Sequence, residues 1–152
     1  MNHQQVFSEH VRKHFVYLLD DFGFSLVEDQ YHQDASTCVV TFQNQLRYIK
    51  LHWALRGSRL DFRVCRVLSD GKPAPYKDYD VDEFVLAALA KYYEPEIDVE
   101  KLTAMNYYNP DLQVLDEKIS MNAKLLQKYG QEILRGSKWF DWIKKEIISN
   151  PQ

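Results

Sequence analysis

Residues 46–68, LRYIKLHWALRGSRLDFRVCRVL, decide the fold because apolar and polar side chains alternate on both sides of a short polar break. Successive side chains of a β-strand point to opposite faces, so strict alternation predicts two half-buried strands. The apolar side chains of both strands then share one face; they include Ile49, Leu51, Trp53, Leu60 and Phe62. The break has the length of a hairpin turn, which predicts an antiparallel pair.

The same alternation continues towards the amino terminus. It predicts four strands in all, over residues 25–32, 37–44, 46–55 and 59–68. Because the connections between them are short and polar, the simplest arrangement is a four-stranded antiparallel meander. Such a sheet has one dry face and one wet face, and the dry face needs helices to cover it.

Helical periodicity flanks the sheet on both sides. Apolar residues at spacings of three and four predict an N-terminal helix over residues 4–22 that ends at Gly23, where a left-handed C-cap suits a residue without Cβ. Residues 69–79 predict a loop. Helical spacing of apolar residues over 80–149 predicts three to four helices packed on one sheet face, and the first of them has Asp80 as its N-cap. We therefore expect a single α+β domain over residues 1–152.

Composition excludes several classes of protein. Nineteen basic and 22 acidic residues give a net charge of −3, far from the basic balance of most nucleic-acid binders, and two cysteines do not make a disulfide scaffold. The amino terminus lacks the uninterrupted apolar run of a signal peptide or membrane span, and five scattered glycines match no nucleotide-binding loop. We expect a cytoplasmic, non-enzymatic protein without cofactor.

A metal site is the first alternative that the sequence raises. His10 and His14 have the i, i+4 spacing with which one helix face can ligate a metal. A third ligand is not evident from the sequence, and both imidazoles flank the apolar stripe of the predicted helix, where amphipathic side chains often cover the edge of a core. We therefore predict no metal site.

Reactive thiol and carboxylate chemistry are two further alternatives. Cys38 and Cys65 belong to opposite sheet faces, which argues against a disulfide, and we interpret Cys65 as a small strand residue rather than a nucleophile. Asp78, Asp80 and Asp82 precede or begin a predicted helix, where acids cap and complement the helix dipole. No catalytic residue is predicted.

Charge and tyrosine are concentrated together in one segment. Residues 78–100 carry eight acids against Lys91, a net charge of −7, whereas residues 44–72 carry a net charge of +5. Six of the ten tyrosines lie in or near the acidic segment, and tyrosines are common anchors of protein interfaces. The predicted surface for a basic protein partner consists of Tyr76, Asp78, Tyr79, Asp80, Asp82, Tyr93, Glu94, Glu96, Tyr107 and Tyr108.

Two other binding functions stay open. On the wet face of the sheet, basic and aromatic side chains could bind single-stranded nucleic acid, although the acidic whole chain argues against it; they are Tyr48, Lys50, His52, Arg59 and Arg63. The long predicted helix over residues 110–129 has a heptad-like seam suited to a homodimer, as in a dimeric secretion chaperone or a small regulatory domain. The seam consists of Leu112, Leu115, Ile119, Asn122 and Leu126.

Two short stretches carry a resemblance to known proteins. Phe22-Gly23-Phe24 and the pattern LL-x-x-YG-x-x-IL-x-G over residues 125–136 resemble a group of small bacterial proteins of unknown function, several of them immunity proteins of polymorphic toxin systems. The resemblance implies a non-enzymatic protein that masks a cognate toxin, and it supplies no catalytic residue. Together with the acidic tyrosine-rich segment, it predicts an immunity-type protein that neutralises a basic toxin.

Overall fold

A computed structural model of the chain describes residues 2–56, 59–74, 81–98 and 112–135. In chain order, the elements are α1 (His3–His14), α2 (Val16–Asp21), β1 (Ser25–His32), β2 (Thr37–Gln43), β3 (Arg47–Ala54), β4 (Arg59–Arg66), β5 (Val81–Asp82), α3 (Glu83–Tyr93), α4 (Leu112–Tyr129) and α5 (Gln131–Arg135). The fold class is α+β, as predicted. In the described part of the chain, no helix combines the length and the apolar character needed to cross a lipid bilayer.

The five strands form one antiparallel sheet in the order β1-β2-β3-β4-β5. The first four are the predicted meander, with ends within one or two residues of the predicted ones. The fifth is a two-residue strand that pairs Val81 with Val64 and Asp82 with Arg63. Alternation over so short a stretch leaves no detectable sequence pattern, which is why the sequence predicted four strands.

One face of the sheet carries the hydrophobic core. Side chains from the three central strands interdigitate there, each at most 4% exposed: Cys38, Val40, Phe42, Ile49, Leu51, Trp53, Leu60, Phe62 and Val64. Helix α1 packs on β1 and β2, helix α3 packs on β4, and the long helix α4 packs against both α1 and α3. The sheet therefore has the predicted dry face, and buried residues of α4 belong to the same core.

The N-terminal helix is broken, whereas the apolar periodicity predicted one continuous helix over residues 4–22. Phe15 adopts φ −101° and ψ 15°, which separates α1 from α2. Its ring is fully buried, with ring centroids 6.4 Å from Phe42 and 5.9 Å from Phe62. The 3,4 spacing of apolar residues continues across the break, so the sequence pattern did not reveal it. Gly23, at φ 68°, ends α2 in the predicted left-handed conformation.

Helix α3 begins two residues later than predicted. Asp82, not Asp80, is its N-cap: the Asp82 side chain accepts a 2.9 Å hydrogen bond from the backbone N–H of Val85. The backbone before it is extended because Val81 and Asp82 pair with β4. Asp80 itself lies outside the described residues. Helix α3 therefore starts directly from the edge strand of the sheet.

Candidate partner-binding surface

The carboxyl end of α3 presents two adjacent aromatic rings. The last residues of α3, Tyr92 and Tyr93, are 37% and 46% exposed, and their rings meet edge to face at 5.3 Å. Glu94 ends the helix, with its backbone N–H bonded to the Ala90 carbonyl at 2.8 Å. The exposed Glu96 follows in the next turn. This part of the predicted acidic tyrosine surface is therefore present as a compact exposed group.

The carboxyl end of α4 lies beside it. The Tyr93 ring stacks on that of Tyr129 at 6.1 Å, with an interplanar angle of 15°. The Lys128 ammonium lies 2.7 Å from a Glu94 carboxylate oxygen and 5.2 Å from the centroid of the Tyr129 ring. We call Tyr92, Tyr93, Glu94, Lys128 and Tyr129 the α3–α4 corner. It combines an aromatic stack with one solvated ion pair.

The charges in the corner stabilise each other. Hydrogen bonds from Lys128 and Tyr129 lower the pKa of the Glu94 carboxyl, and the bond to Glu94 raises the pKa of the Lys128 ammonium. Burial is the main cause that raises the pKa of Tyr129 and of Tyr93; for Tyr93 the negative charge of Glu132 adds to it. At neutral pH the corner therefore holds a carboxylate, an ammonium and neutral phenols.

The structure brings only part of the predicted surface together. Tyr93, Glu94 and Glu96 lie in or next to the α3–α4 corner. Asp82 is at the opposite end of α3, roughly 16 Å away for a helix of this length, and serves as the N-cap. The remaining predicted residues lie outside the described part of the chain: Tyr76, Asp78, Tyr79, Asp80, Tyr107 and Tyr108.

Lys128 belongs to this surface although it was not predicted as a member. Tyr129 is not among the predicted surface residues either. Both residues are far from Glu94 in sequence, and they meet it because the carboxyl ends of α3 and α4 lie side by side. The connection between the helices, residues 94–111, is long enough for these two ends to meet, but its length alone does not predict that they do.

The predicted dimer seam is part of the core of the single chain. Leu115, Ile119, Asn122 and Leu126 are each 0% exposed, and the side chain of Leu112 lies outside the described part. The folded chain therefore does not present these four residues to a second copy. Among the described residues, neither polar atom of the Asn122 side chain has a hydrogen-bond partner, so the asparagine does not fix a register here.

The two histidines of α1 contact a carboxylate on α4. Nδ1 of His10 and Nε2 of His14 lie 2.8 Å and 2.7 Å from the same oxygen, Oδ1 of Asp116. The hydrogen bond from His14 is the main cause that lowers the pKa of Asp116, and burial opposes it. Across the residues that the structure describes, no group of three His, Cys, Asp or Glu side chains is arranged to hold a metal ion. The histidine pair instead joins two helices.

The other face of the sheet carries the predicted basic residues. The register places Tyr48 opposite Cys65, Lys50 opposite Arg63 and His52 opposite Asp61. Two acids reduce the positive charge of this face. A carboxylate oxygen of Asp61 lies 3.1 Å from Nε of Arg59, and the charge of Glu28 adds to burial in raising the pKa of Tyr48. Burial lowers the pKa of His52 more than Asp61 raises it, so this imidazole is neutral at pH 7.

One arginine and both cysteines of the sheet are buried. Arg47 is 4% exposed on the core side, where its Nε donates a 2.7 Å hydrogen bond to the Ile133 carbonyl, and burial lowers its pKa to about 10. It therefore does not contribute to the basic face. Cys65 is buried on the other face and Cys38 in the core, and the two thiols are not joined in a disulfide. Burial raises the pKa of Cys38 to about 11.

Comparisons of the chain with protein-family models, with curated protein sequences and with solved structures gave no significant match.

Proposed function

We propose that the protein is a non-enzymatic binding domain that recognises a basic protein through the α3–α4 corner, as an immunity-type protein does with a cognate toxin. The observation that carries the proposal is the exposure of Tyr92 and Tyr93 beside Glu94 and Glu96. Exposed tyrosines supply contact area at a low cost in side-chain entropy, and neighbouring acids attract a basic surface. The net charge of −7 over residues 78–100 supports the same partner chemistry.

The proposal is tested on the protein encoded by the adjacent gene. We expect the purified chain to bind it, and we expect Tyr93→Ala to weaken binding by about tenfold or more, the effect of an interface anchor. Tyr31→Ala is the matched control, because Tyr31 is 39% exposed on β1, away from the corner. Equal effects of the two substitutions, or no binding to the chain, would contradict the proposal. Rescue of growth when the two proteins are co-expressed tests the immunity role itself.

The basic sheet face supports a second candidate function, binding of single-stranded nucleic acid. Its support is the register that places Tyr48, Lys50 and Arg63 side by side on one face. Glu28 and Asp61 on the same face oppose it by reducing the positive charge. Fluorescence anisotropy of a labelled single-stranded oligonucleotide tests this candidate. A salt-dependent rise in anisotropy on adding the protein, abolished by Lys50→Gln, would favour nucleic-acid binding. No rise would exclude it.

The third candidate, a dimeric secretion chaperone or small regulatory domain, requires a different interface from the predicted seam. Leu115, Ile119 and Leu126 already fill the core of one chain, so a dimer would have to form elsewhere. The molecular mass in solution separates this candidate from the first. A monomer at working concentration excludes the dimeric chaperone and leaves the first proposal intact.

A further inference from the structure

The α3–α4 corner already binds a cation, and this cation belongs to the chain itself. The Lys128 ammonium lies 2.7 Å from the Glu94 carboxylate and 5.2 Å from the centroid of the Tyr129 ring. A carboxylate and a ring face within such distances are the two groups that most commonly recognise lysine and arginine side chains. The corner is therefore a complete site for an aliphatic ammonium or a guanidinium.

The internal cation is weakly held. The side chains of Lys128 and Glu94 are 63% and 43% exposed, so water solvates both charges. Exposed ion pairs of this kind contribute little to stability, because solvent screens them and two long side chains lose freedom. Tyr93 beside the pair is 46% exposed, and its ring stacks on that of Tyr129, which also forms a side-chain hydrogen bond with Lys128. Departure of Lys128 therefore costs Tyr129 one hydrogen bond, while the stack on Tyr93 still holds the Tyr129 ring.

We propose that Lys128 is an internal stand-in for a lysine or arginine of the basic partner, which displaces it and takes over the Glu94 carboxylate and the tyrosine face. This inference rests on the proposed function and adds the chemistry of the contact. Displacement also releases the Lys128 ammonium towards the solvent or towards acids of the partner. The site thus exchanges one cation for another, so binding needs no unpaired charge at any stage.

The experiment uses a fluorophore-labelled oligo-arginine peptide as the probe and a Gly/Ser peptide of equal length as the neutral probe. Lys128→Gln removes the stand-in. Lys124→Gln is the matched control, because it removes the same charge one helical turn earlier from an exposed lysine. We expect Lys128→Gln to bind the basic probe about two- to fivefold more tightly than Lys124→Gln, the range of an exposed ion pair that no longer competes.

The glutamate provides the second arm. Glu94→Gln should weaken binding of the oligo-arginine probe, and in the Lys128→Gln background it should cancel the gain. Equal affinities of Lys128→Gln and Lys124→Gln would mean that only net charge matters and would overturn the stand-in role. Weaker binding by Lys128→Gln than by the unaltered chain would overturn it as well.

The outcomes also separate this inference from the proposed function. Binding of the basic probe with no difference between the two lysine variants leaves the proposed function standing and removes the stand-in. Failure of every variant to bind the basic probe, or binding of the Gly/Ser peptide as tightly, contradicts both proposals. Thermal melts of each variant check that the α3–α4 corner is tested in a folded chain.

Discussion

Helix α4 is joined to its neighbours by two carboxylate contacts that differ in how far water reaches them. Near its amino end, Asp116 accepts a hydrogen bond from His14 and lies 2.8 Å from Nδ1 of His10, and the three side chains are only 18–33% exposed. At its carboxyl end, Lys128 meets Glu94 with both side chains more than 40% exposed. The first contact is half-buried between packed helices, and the second is exposed to solvent.

The difference in solvation gives the two contacts different roles. A hydrogen bond to a charged group is stronger where water competes less, so the Asp116 contact stabilises the packing of α1 on α4. The Glu94 contact is screened and exchangeable, which suits a surface that must accept a partner's charge. One helix thus carries a contact that stabilises the fold at one end and, on our proposal, a contact that binds a partner at the other.

The largest predicted effect concerns the packing of α4 into the core, next to its half-buried contact. Leu115→Ala removes a fully buried side chain of α4, and we expect it to lower the free energy of unfolding by about 2–5 kcal/mol. Val16→Ala, at a position 47% exposed, is the control and should change it by less than about 0.5 kcal/mol. Urea denaturation measures both. Similar losses from the two substitutions would show that Leu115 does not hold α4 in place.

The next effect should be a gain in stability. Asn122 is fully buried in α4, and within the described part of the chain neither its amide nitrogen nor its oxygen has a partner. Asn122→Leu should therefore raise the free energy of unfolding by about 1–2 kcal/mol, because a buried polar group without a hydrogen bond is costly. The control is Asn44→Leu, which removes an oxygen that accepts hydrogen bonds from the N–H groups of Leu46 and Arg47 and should destabilise. A loss of stability in both variants would contradict the prediction.

Breaking the half-buried contact should have a smaller effect, and one that depends on pH. Asp116→Asn should lower the free energy of unfolding at pH 7 by about 1 kcal/mol. Because the pKa of Asp116 is lower in the folded chain than its ordinary 3.8, its contribution is present above that pH and is lost as the pH falls through the folded value. The stability difference between the unaltered chain and Asp116→Asn should therefore shrink below about pH 4.

Chemical denaturation over a range of pH measures this difference. Glu117→Gln is the control, because Glu117 is the exposed acid next in sequence and the substitution likewise removes one carboxylate from α4. A difference between the unaltered chain and Asp116→Asn that stays constant down to about pH 3 would contradict the role of the carboxylate charge.

The sequence predicted what depends on local pattern. Alternation located four strands and their dry face, and the glycine after Phe22 marked the end of α2. Arg47 lies on the core side with Ile49 and Leu51, whose parity it shares, although this placement was not predicted. Burial of a guanidinium was not expected because it needs a partner, and the partner is the distant Ile133 carbonyl.

The contacts at both ends of α4 could not be predicted in this way. His14 and Asp116 are 102 residues apart, and Glu94 meets Lys128 only because α3 and α4 end at the same side of the core. Periodicity predicts which face of a helix is apolar. Which polar side chains of two helices meet depends on how the helices are rotated and shifted against each other, and periodicity does not predict that. The break at Phe15 has the same origin, since a ring seated between Phe42 and Phe62 overrides the local preference for a continuous helix.

The smallest predicted effect concerns the exposed contact and tests the contrast between the two ends of α4. Glu94→Gln and Lys128→Gln should each change the Tm by less than Asp116→Asn does, because solvent already screens both charges. Melts at low and high salt measure this, and added salt should reduce even the remaining shift. A fall in Tm as large as that of Asp116→Asn would mean that the Glu94–Lys128 pair is needed to hold α3 against α4. Lys128 would then be unable to give up its place to the cation of a partner.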